Sequence, residues 1–362
     1  MRFFTILSLL FLTGILYAQA PYTVIGSLDS TFTPIELIED VCLGEGIEVT
    51  NIEFEGVSPA VGRFLGGSDV IGLEQGFLMT TGLVQSSGNF GGADLASFGD
   101  ASFINNSNAY TEEIATISNN STIRDVAIFR INFVPTGDTL MFRYVFASDE
   151  YPNYVCSNFN DVFGFFLEGT DPETGTSAIR NLAQIPGTEL PVSINSINNG
   201  VPGDYPGSHP AWCSEEFNGS LDYASLFNQV PPFVAPTYNG FTDVLLAKAD
   251  VVPCQEYQMT LVIADVGDAW WDSGIYFEAN SFCSFSGSHG TTERLTITED
   301  CAPQELEVDL SLFPEEEYPL TYTITGGATA GVSLAGIPLN GTIAEMADAW
   351  LLPVEITADS LA

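Results

Sequence analysis

Residues Phe146–Gly169 read FASDEYPNYVCSNFNDVFGFFLEG, and residues Ile263–Phe282 read IADVGDAWWDSGIYFEANSF. Each stretch is an apolar strand that runs into a loop crowded with Asp, Glu and Asn and returns as an apolar, aromatic strand. Carboxylates repel one another, so grouping Asp149, Glu150, Asn160 and Asp161 in one loop, and Asp265, Asp268 and Asp272 in another, is unfavourable unless a cation or dense hydrogen bonding compensates. Calcium, a hard cation that collects several oxygen ligands, is the simplest compensation. These seven residues are therefore the candidate metal ligands and calcium the candidate cofactor. The plain alternative is solvated turn acids, and Asn160 or Asp161 capping a turn through its side chain. The alternating-acid EF-hand pattern is absent.

Outward from these loops the chain reads as strands and turns. Ala127, Phe129, Ile131 and Phe133 fall on one face of a strand, and Leu140, Phe142, Tyr144 and Phe146 on one face of the next. Pro135-Thr136-Gly137-Asp138 between them predicts a hairpin. Further strands are predicted at Ile47–Phe54, Gly76–Thr80, Val162–Leu167, Pro191–Ile197, Tyr257–Ala264 and Gly274–Ala279. Many short strands parted by Gly, Pro and Asn turns predict an all-β fold, a β-sandwich or jelly roll. Two long irregular regions interrupt the pattern: 86–121, rich in Gly, Asn and Ser, and 198–236, rich in Pro and aromatics. The second is a candidate rim of a binding surface, anchored through Cys213.

The N-terminus bears on the compartment. Arg2, the apolar run Phe3–Tyr17 and Ala18-Gln19-Ala20 have the order of a secretory signal peptide, residues 1–20. Residues 21–283 then form the main domain and 284–292 a Ser/Gly/His linker. Residues 293–362, with LTITEDC, LEVDLSLF and LTYTITGG, resemble the start of an immunoglobulin-like β domain. Cys42, Cys156, Cys213, Cys254, Cys283 and Cys301 form an even set in an exported chain, which predicts three disulfides with the pairing left open.

Net charge is -39, with a single lysine, Lys248. Phosphate backbones and anionic membrane surfaces need basic patches, so nucleic acid is excluded as a partner, and no membrane insertion is expected after signal cleavage. Most of the charge reads as a solvating surface. Catalytic patterns are missing: there is no GxSxG, no HExxH and no phosphate-cradling glycine loop, and His209 and His289 both lie in Gly/Ser/Pro-rich segments. The remaining catalytic alternative is a secreted carbohydrate-active enzyme using paired carboxylates. Trp270 and Trp271 inside the acidic loop, and Trp212 and Tyr205 in the long aromatic loop, are candidate ligand-binding residues. Their rings bury a large area with little entropy loss against a sugar or protein partner.

Several ordered motifs together resemble one family. IELIEDVCLGEGIEVTNIEFEG, GFLMTTGLV, FRYVFASDEYPNYVCSNFNDVFGFFLEG, NLAQIPGT, PVSINSINNG, YNGFTDVLLAKADVVPC and IADVGDAWWDSGIYFEANSF span Ile35–Phe282 and look like the choice-of-anchor L domain of bacterial surface proteins, especially those of Bacteroidota. The resemblance implies a secreted or cell-surface module, often exported by the type IX route and held by varied C-terminal anchors. No sorting domain is recognisable here, so the mode of anchoring is left open. It implies no ligand and no chemistry. The expectation is a calcium-stabilised, non-enzymatic adhesion or recognition module for an extracellular glycan or protein, with a passive spacer as the plainer alternative.

Overall fold

The central strands are apolar along nearly their whole length because both of their faces meet something apolar. The structure, a computed structural model, describes residues 22–26, 32–84, 114, 117–118, 122–230, 236 and 238–285, together with four short strands between 306 and 352. It divides into two units, 1–285 and 286–362. The signal segment, residues 286–292 of the expected linker, Cys301, His289 and nearly all of 86–121 lie outside the described residues, while Ser284 and Phe285 belong to the last strand of the sandwich.

In the first unit the strands are β1 (Thr23–Gly26), β2 (Ile47–Glu55), β3 (Val61–Leu65), β4 (Gln75–Thr80), β5 (Ile123–Pro135), β6 (Thr139–Ser148) and β7 (Val162–Thr170). They continue as β8 (Ser177–Asn181), β9 (Phe227–Gln229), β10 (Gly240–Thr242), β11 (Leu245–Asp250), β12 (Tyr257–Val266), β13 (Ser273–Glu278) and β14 (Cys283–Phe285). A nine-stranded sheet runs β1-β3-β4-β13-β6-β10-β9, with β11 and β14 also paired to β6, and a five-stranded sheet runs β2-β5-β12-β7-β8. All the strand pairings are antiparallel. The fold is the all-β sandwich the patterning predicts. In the second unit, β15 (Leu306–Asp309) pairs with β18 (Ala349–Leu352) and β16 (Tyr318–Leu320) with β17 (Gly341–Ile343).

Phe77, Phe277, Phe142, Tyr144 and Phe146 of the larger sheet meet Phe129, Ile131, Phe133, Phe163 and Phe165 of the smaller one in a single buried core. Phe77 stacks on Phe277 at 4.3 Å between centroids, while Phe165 meets Phe142 edge-on at 4.7 Å and Tyr144 at 4.9 Å. Their outer faces are buried too. Val145, Leu78 and Tyr276 pack with Tyr22, Ile71 and Tyr238, and Ile128, Phe166 and Val262 pack with Ile114.

Two predicted features are corrected. β5 and β6 do not form a hairpin: β5 pairs with β2 and β12, and β6 with β13, β10, β11 and β14. Both strands have a Phe-rich face, and the turn at 136–138 carries the chain from one sheet to the other so that these faces meet across the core. Pro191–Ile197 is not a strand but a run of turns and isolated bridges, in which Ser196 Oγ accepts from Ser193 N–H and donates to the Pro191 carbonyl, groups that a ladder would otherwise hold.

A candidate cation site at paired crossovers

The chain crosses between sheets twice at one end of the sandwich. β6 in the larger sheet passes through 149–161 into β7 of the smaller, and β12 passes through 267–272 into β13. Ser148 pairs with Ser273, and Val162 with Ala264, so the two crossovers lie side by side. Register Ile123↔Val266 and Arg124↔Asp265 adds the start of β5, and Thr80↔Gly274 adds the end of β4. Two acidic loops more than a hundred residues apart in sequence thus become one site.

Asp149, Glu150, Asn160, Asp161, Asp265 and Asp272 are all buried, each at most 4% exposed. They are not solvated turn acids. The Asp161 carboxyl ties the crossovers together: Val266 N–H donates to Oδ1 at 2.9 Å and Ser273 Oγ to Oδ2 at 2.6 Å. Asp149 N–H donates to the Asp272 carbonyl at 3.0 Å, and Asn239 donates from its backbone N–H to Asp149 Oδ1 and from Nδ2 to the Asp149 carbonyl. Glu150 N–H donates to Ser148 Oγ at 2.9 Å. Asn160 Oδ1 accepts from Asn195 N–H at 2.8 Å, and Asn195 in turn accepts at Oδ1 from Cys156 N–H at 2.7 Å.

Other oxygens find nothing. Both carboxyl oxygens of Asp265, Oε2 of Glu150 and Oδ1 of Asp125 are buried without a hydrogen-bond partner. Asp125, Asp161 and Thr81 stand next to the Asp265 carboxyl, where the two carboxyls can share a proton with it and the hydroxyl can donate one. Thr81 Oγ1 also accepts from Ser273 N–H at 3.0 Å.

Electrostatics follow from this burial. Loss of water pushes the Asp149 carboxyl up to about 8, with Asp272 and Asp161 adding to the rise and the Asn239 N–H opposing it. Burial likewise lifts Asp161, against the hydrogen bonds from Ser273 and Val266. It holds Asp265 well above the carboxylate range, with Asp161, Asp272 and Asp125 adding to it. Glu150 is raised by burial and then by Asp161, Asp268 and Asp149.

Asp268 stands apart from the buried group. It is half-buried and its Oδ1 accepts from Trp270 N–H at 3.0 Å, closing a turn at the rim. Asp125, which the sequence reading did not single out, is buried beside Asp265 and raised by burial. Its parity with Ala127, Phe129 and Ile131, which face the core, was the available signal. Among the described residues no three His, Cys, Asp or Glu side chains stand ready-arranged around an ion.

At the rim, Trp270 is 51% exposed and Trp271, with φ 69°, is partly buried. Tyr154, Phe159 and Tyr205 form a cluster of partly exposed rings beside them: Tyr154 lies on Tyr205 at 5.1 Å, and Phe159 meets both edge-on. Gly267 lies against the Phe159 ring, where a Cβ would come to 2.6 Å. Trp212 is elsewhere, packed on Phe217 and on the interlayer core.

Of the six cysteines, Cys156 and Cys213 are joined, which pins the 198–236 loop to the acidic crossover, while Cys42 and Cys254 stand as thiols. Cys42 is sealed in the core, where burial pushes its thiol up to about 12.

Among the described residues no helix is long and apolar enough to cross a membrane. No curated protein matches the chain, and no solved structure does. The model of the choice-of-anchor L domain matches residues 25–283, nearly the whole of the sandwich unit. The chain therefore belongs to the choice-of-anchor L domain family of extracellular surface-protein modules.

Proposed function

We propose that the sandwich is a recognition module that captures an extracellular glycan or protein at its aromatic rim, with calcium holding the adjoining crossovers in shape. The observation that carries this reading is the cluster of partly exposed rings, Tyr154, Phe159 and Tyr205, which Trp271 joins at Tyr154, next in sequence to the exposed Trp270. Flat rings held by their neighbours offer area to a sugar face or an apolar side chain at small entropic cost. The carboxylates beneath them support a binding role over catalysis. A glycosidase must present its two acids to substrate across a cleft, whereas Asp149, Glu150, Asp161 and Asp265 are sealed from solvent.

Glycan and cell-surface arrays probed with the mature protein test this. The expected result is capture by the wild type that drops at least tenfold in Trp270→Ala, with the melting temperature unchanged. Absence of capture across both arrays would leave a passive spacer, and release of oligosaccharides from a polysaccharide would favour the enzyme.

A further inference from the structure

We infer that the aromatic rim takes a cationic partner, an arginine-bearing segment of another extracellular protein, whose guanidinium lies flat on the rings of Tyr154, Tyr205 and Trp271 beside Asp268. This rests on the recognition reading proposed above and names the class of partner.

The rings are set in place before anything binds. Tyr154 lies on Tyr205 at 5.1 Å between centroids and 28° between planes, and Phe159 meets them edge-on at 5.5 and 5.4 Å. The Trp271 indole N–H donates to the Tyr154 hydroxyl. Main chain laces the two segments that carry the rings: Tyr205 N–H donates to the Asn153 carbonyl at 3.0 Å, Gly203 N–H to the Val155 carbonyl at 2.9 Å and His209 N–H to the Cys156 carbonyl at 2.7 Å. Gly207 lies against the Tyr205 ring and Gly267 against the Phe159 ring, where a Cβ would come to 2.3 and 2.6 Å. Rings backed in this way lose little freedom when a partner arrives. They also touch one another, so a rounded ammonium has no gap to enter between them. What they offer is their outer faces, and a flat guanidinium stacks on such a face where an ammonium does not.

The charge around the rings favours a cation. Glu150 and Asp268 both act on the Tyr154 hydroxyl, and Glu150 Oε2 has no hydrogen-bond partner. Asp268 is half-buried at the rim, and Asp204, next to Tyr205, is exposed. The chain has no lysine or arginine between Arg143 and Arg180, between Arg180 and Lys248, or between Lys248 and Arg294. Arg124, opposite Asp265, is the basic residue that strand pairing brings to this end, and its charge falls on Asp125. A field of one sign attracts the opposite one and repels its own. Ring faces are themselves negative and add to it. A neutral sugar could stack on the same rings but gains nothing from this field, and an acidic polysaccharide is repelled by it.

The test measures, by fluorescence anisotropy, binding of the mature protein to labelled peptides that carry arginine, lysine or neutral citrulline at the same positions. It is run in about 0.3 M sodium chloride, where attraction to distant charge is screened. The arginine peptide should bind roughly fivefold more tightly than the lysine peptide, and the citrulline peptide should not saturate. Tyr205→Ala should weaken the arginine peptide about tenfold and Asp268→Asn about threefold. Tyr205→Phe keeps the ring, and Glu48→Gln removes an exposed acid opposite Val134 at the far end of β5. Each of these two should stay within about twofold of the wild type. Should Tyr205→Ala fail to fold, Asp268→Asn and the citrulline peptide decide the matter without disturbing a ring. Equal binding of the arginine and lysine peptides, untouched by Tyr205→Ala and Asp268→Asn, would overturn the inference and reduce the attraction to net charge. Glycan capture on the arrays that falls in Tyr205→Ala, with no binding of the arginine peptide, would overturn the cationic partner and keep the recognition reading. Silence of both peptides and arrays would refute the two together.

Discussion

Replacing Cys156 and Cys213 together by alanine removes the covalent link between the acidic crossover and the aromatic loop. The two residues are 57 positions apart. Closing a loop of that length removes chain entropy from the unfolded state equivalent to about 4 kcal/mol at room temperature. The native side changes less. Cys156 N–H still donates to Asn195 Oδ1, His209 N–H to the Cys156 carbonyl, and Asn195 N–H to Asn160 Oδ1, because these bonds use backbone and amide groups that the substitution spares. A loss of this size is a large fraction of the roughly 5–15 kcal/mol that keeps a typical domain folded. Urea unfolding followed by tryptophan fluorescence, comparing the oxidised wild type with Cys156→Ala/Cys213→Ala, should move the midpoint down by the amount that corresponds to a few kcal/mol. A reductant should lower the wild type towards the variant and lower the variant less than the wild type. A loss below about 1 kcal/mol, against the loop-closure figure, would refute the reasoning and mean that the segment is ordered in the unfolded chain or held without the bridge.

In chelator, carboxyls raised by burial, Asp149 to about 8 and Asp161, Asp265 and Glu150 in the same direction, bind protons more tightly folded than unfolded. Their contribution is complete below about pH 4, the unfolded value, and is lost as pH rises through the folded values. The metal-free melting temperature should therefore be higher at pH 5 than at pH 8, and a rise over that interval would show the acids are compensated without a cation or proton. Phe165→Ala should cost about 3–5 kcal/mol in urea unfolding, since the ring meets Phe142, Tyr144, Phe163 and Phe277 within 4.7–5.3 Å; a cost under about 1 kcal/mol would mean the core re-closes. Gly82→Ala would set a Cβ 2.1 Å from Asp272 Oδ2, so the carboxylate must swing away and calcium affinity should fall in calorimetry; unchanged affinity would remove Asp272 from the candidate ligands.

Periodicity located the strands that are flanked by strong turns and apolar on alternate residues. β2, β4, β7, β12 and β13 lie within a few residues of where the pattern set them, because their inner faces are continuous runs of Phe, Tyr, Ile and Val. Short strands carry too few residues to show a period. β1, β3, β9, β10 and β14 have three to five residues each and exist only because a longer neighbour offers its edge. Pro191–Ile197 misled in the opposite way, being apolar enough for a strand but held in turns by its own serines.

The composition of the site was legible in the chain, and its geometry was not. Six carboxylates announced themselves by mutual repulsion, with Asn160 beside them, and that repulsion is a property of sequence neighbours within each loop. Which of them share one volume depends on strand pairing. Register Ser148↔Ser273 and Val162↔Ala264 sets two crossovers against each other, and Arg124↔Asp265 brings in Asp125 from a strand that shows no acidic cluster at all. The same pairing leaves Asp268 at the rim, where Trp270 N–H holds its carboxylate. Sequence also could not tell a hairpin from a crossing, since the turn between β5 and β6 is short enough for either. The choice fell to the core. Phe129 and Phe133 on one strand and Phe142 and Phe146 on the other bury more by facing each other across two sheets than by lying side by side in one.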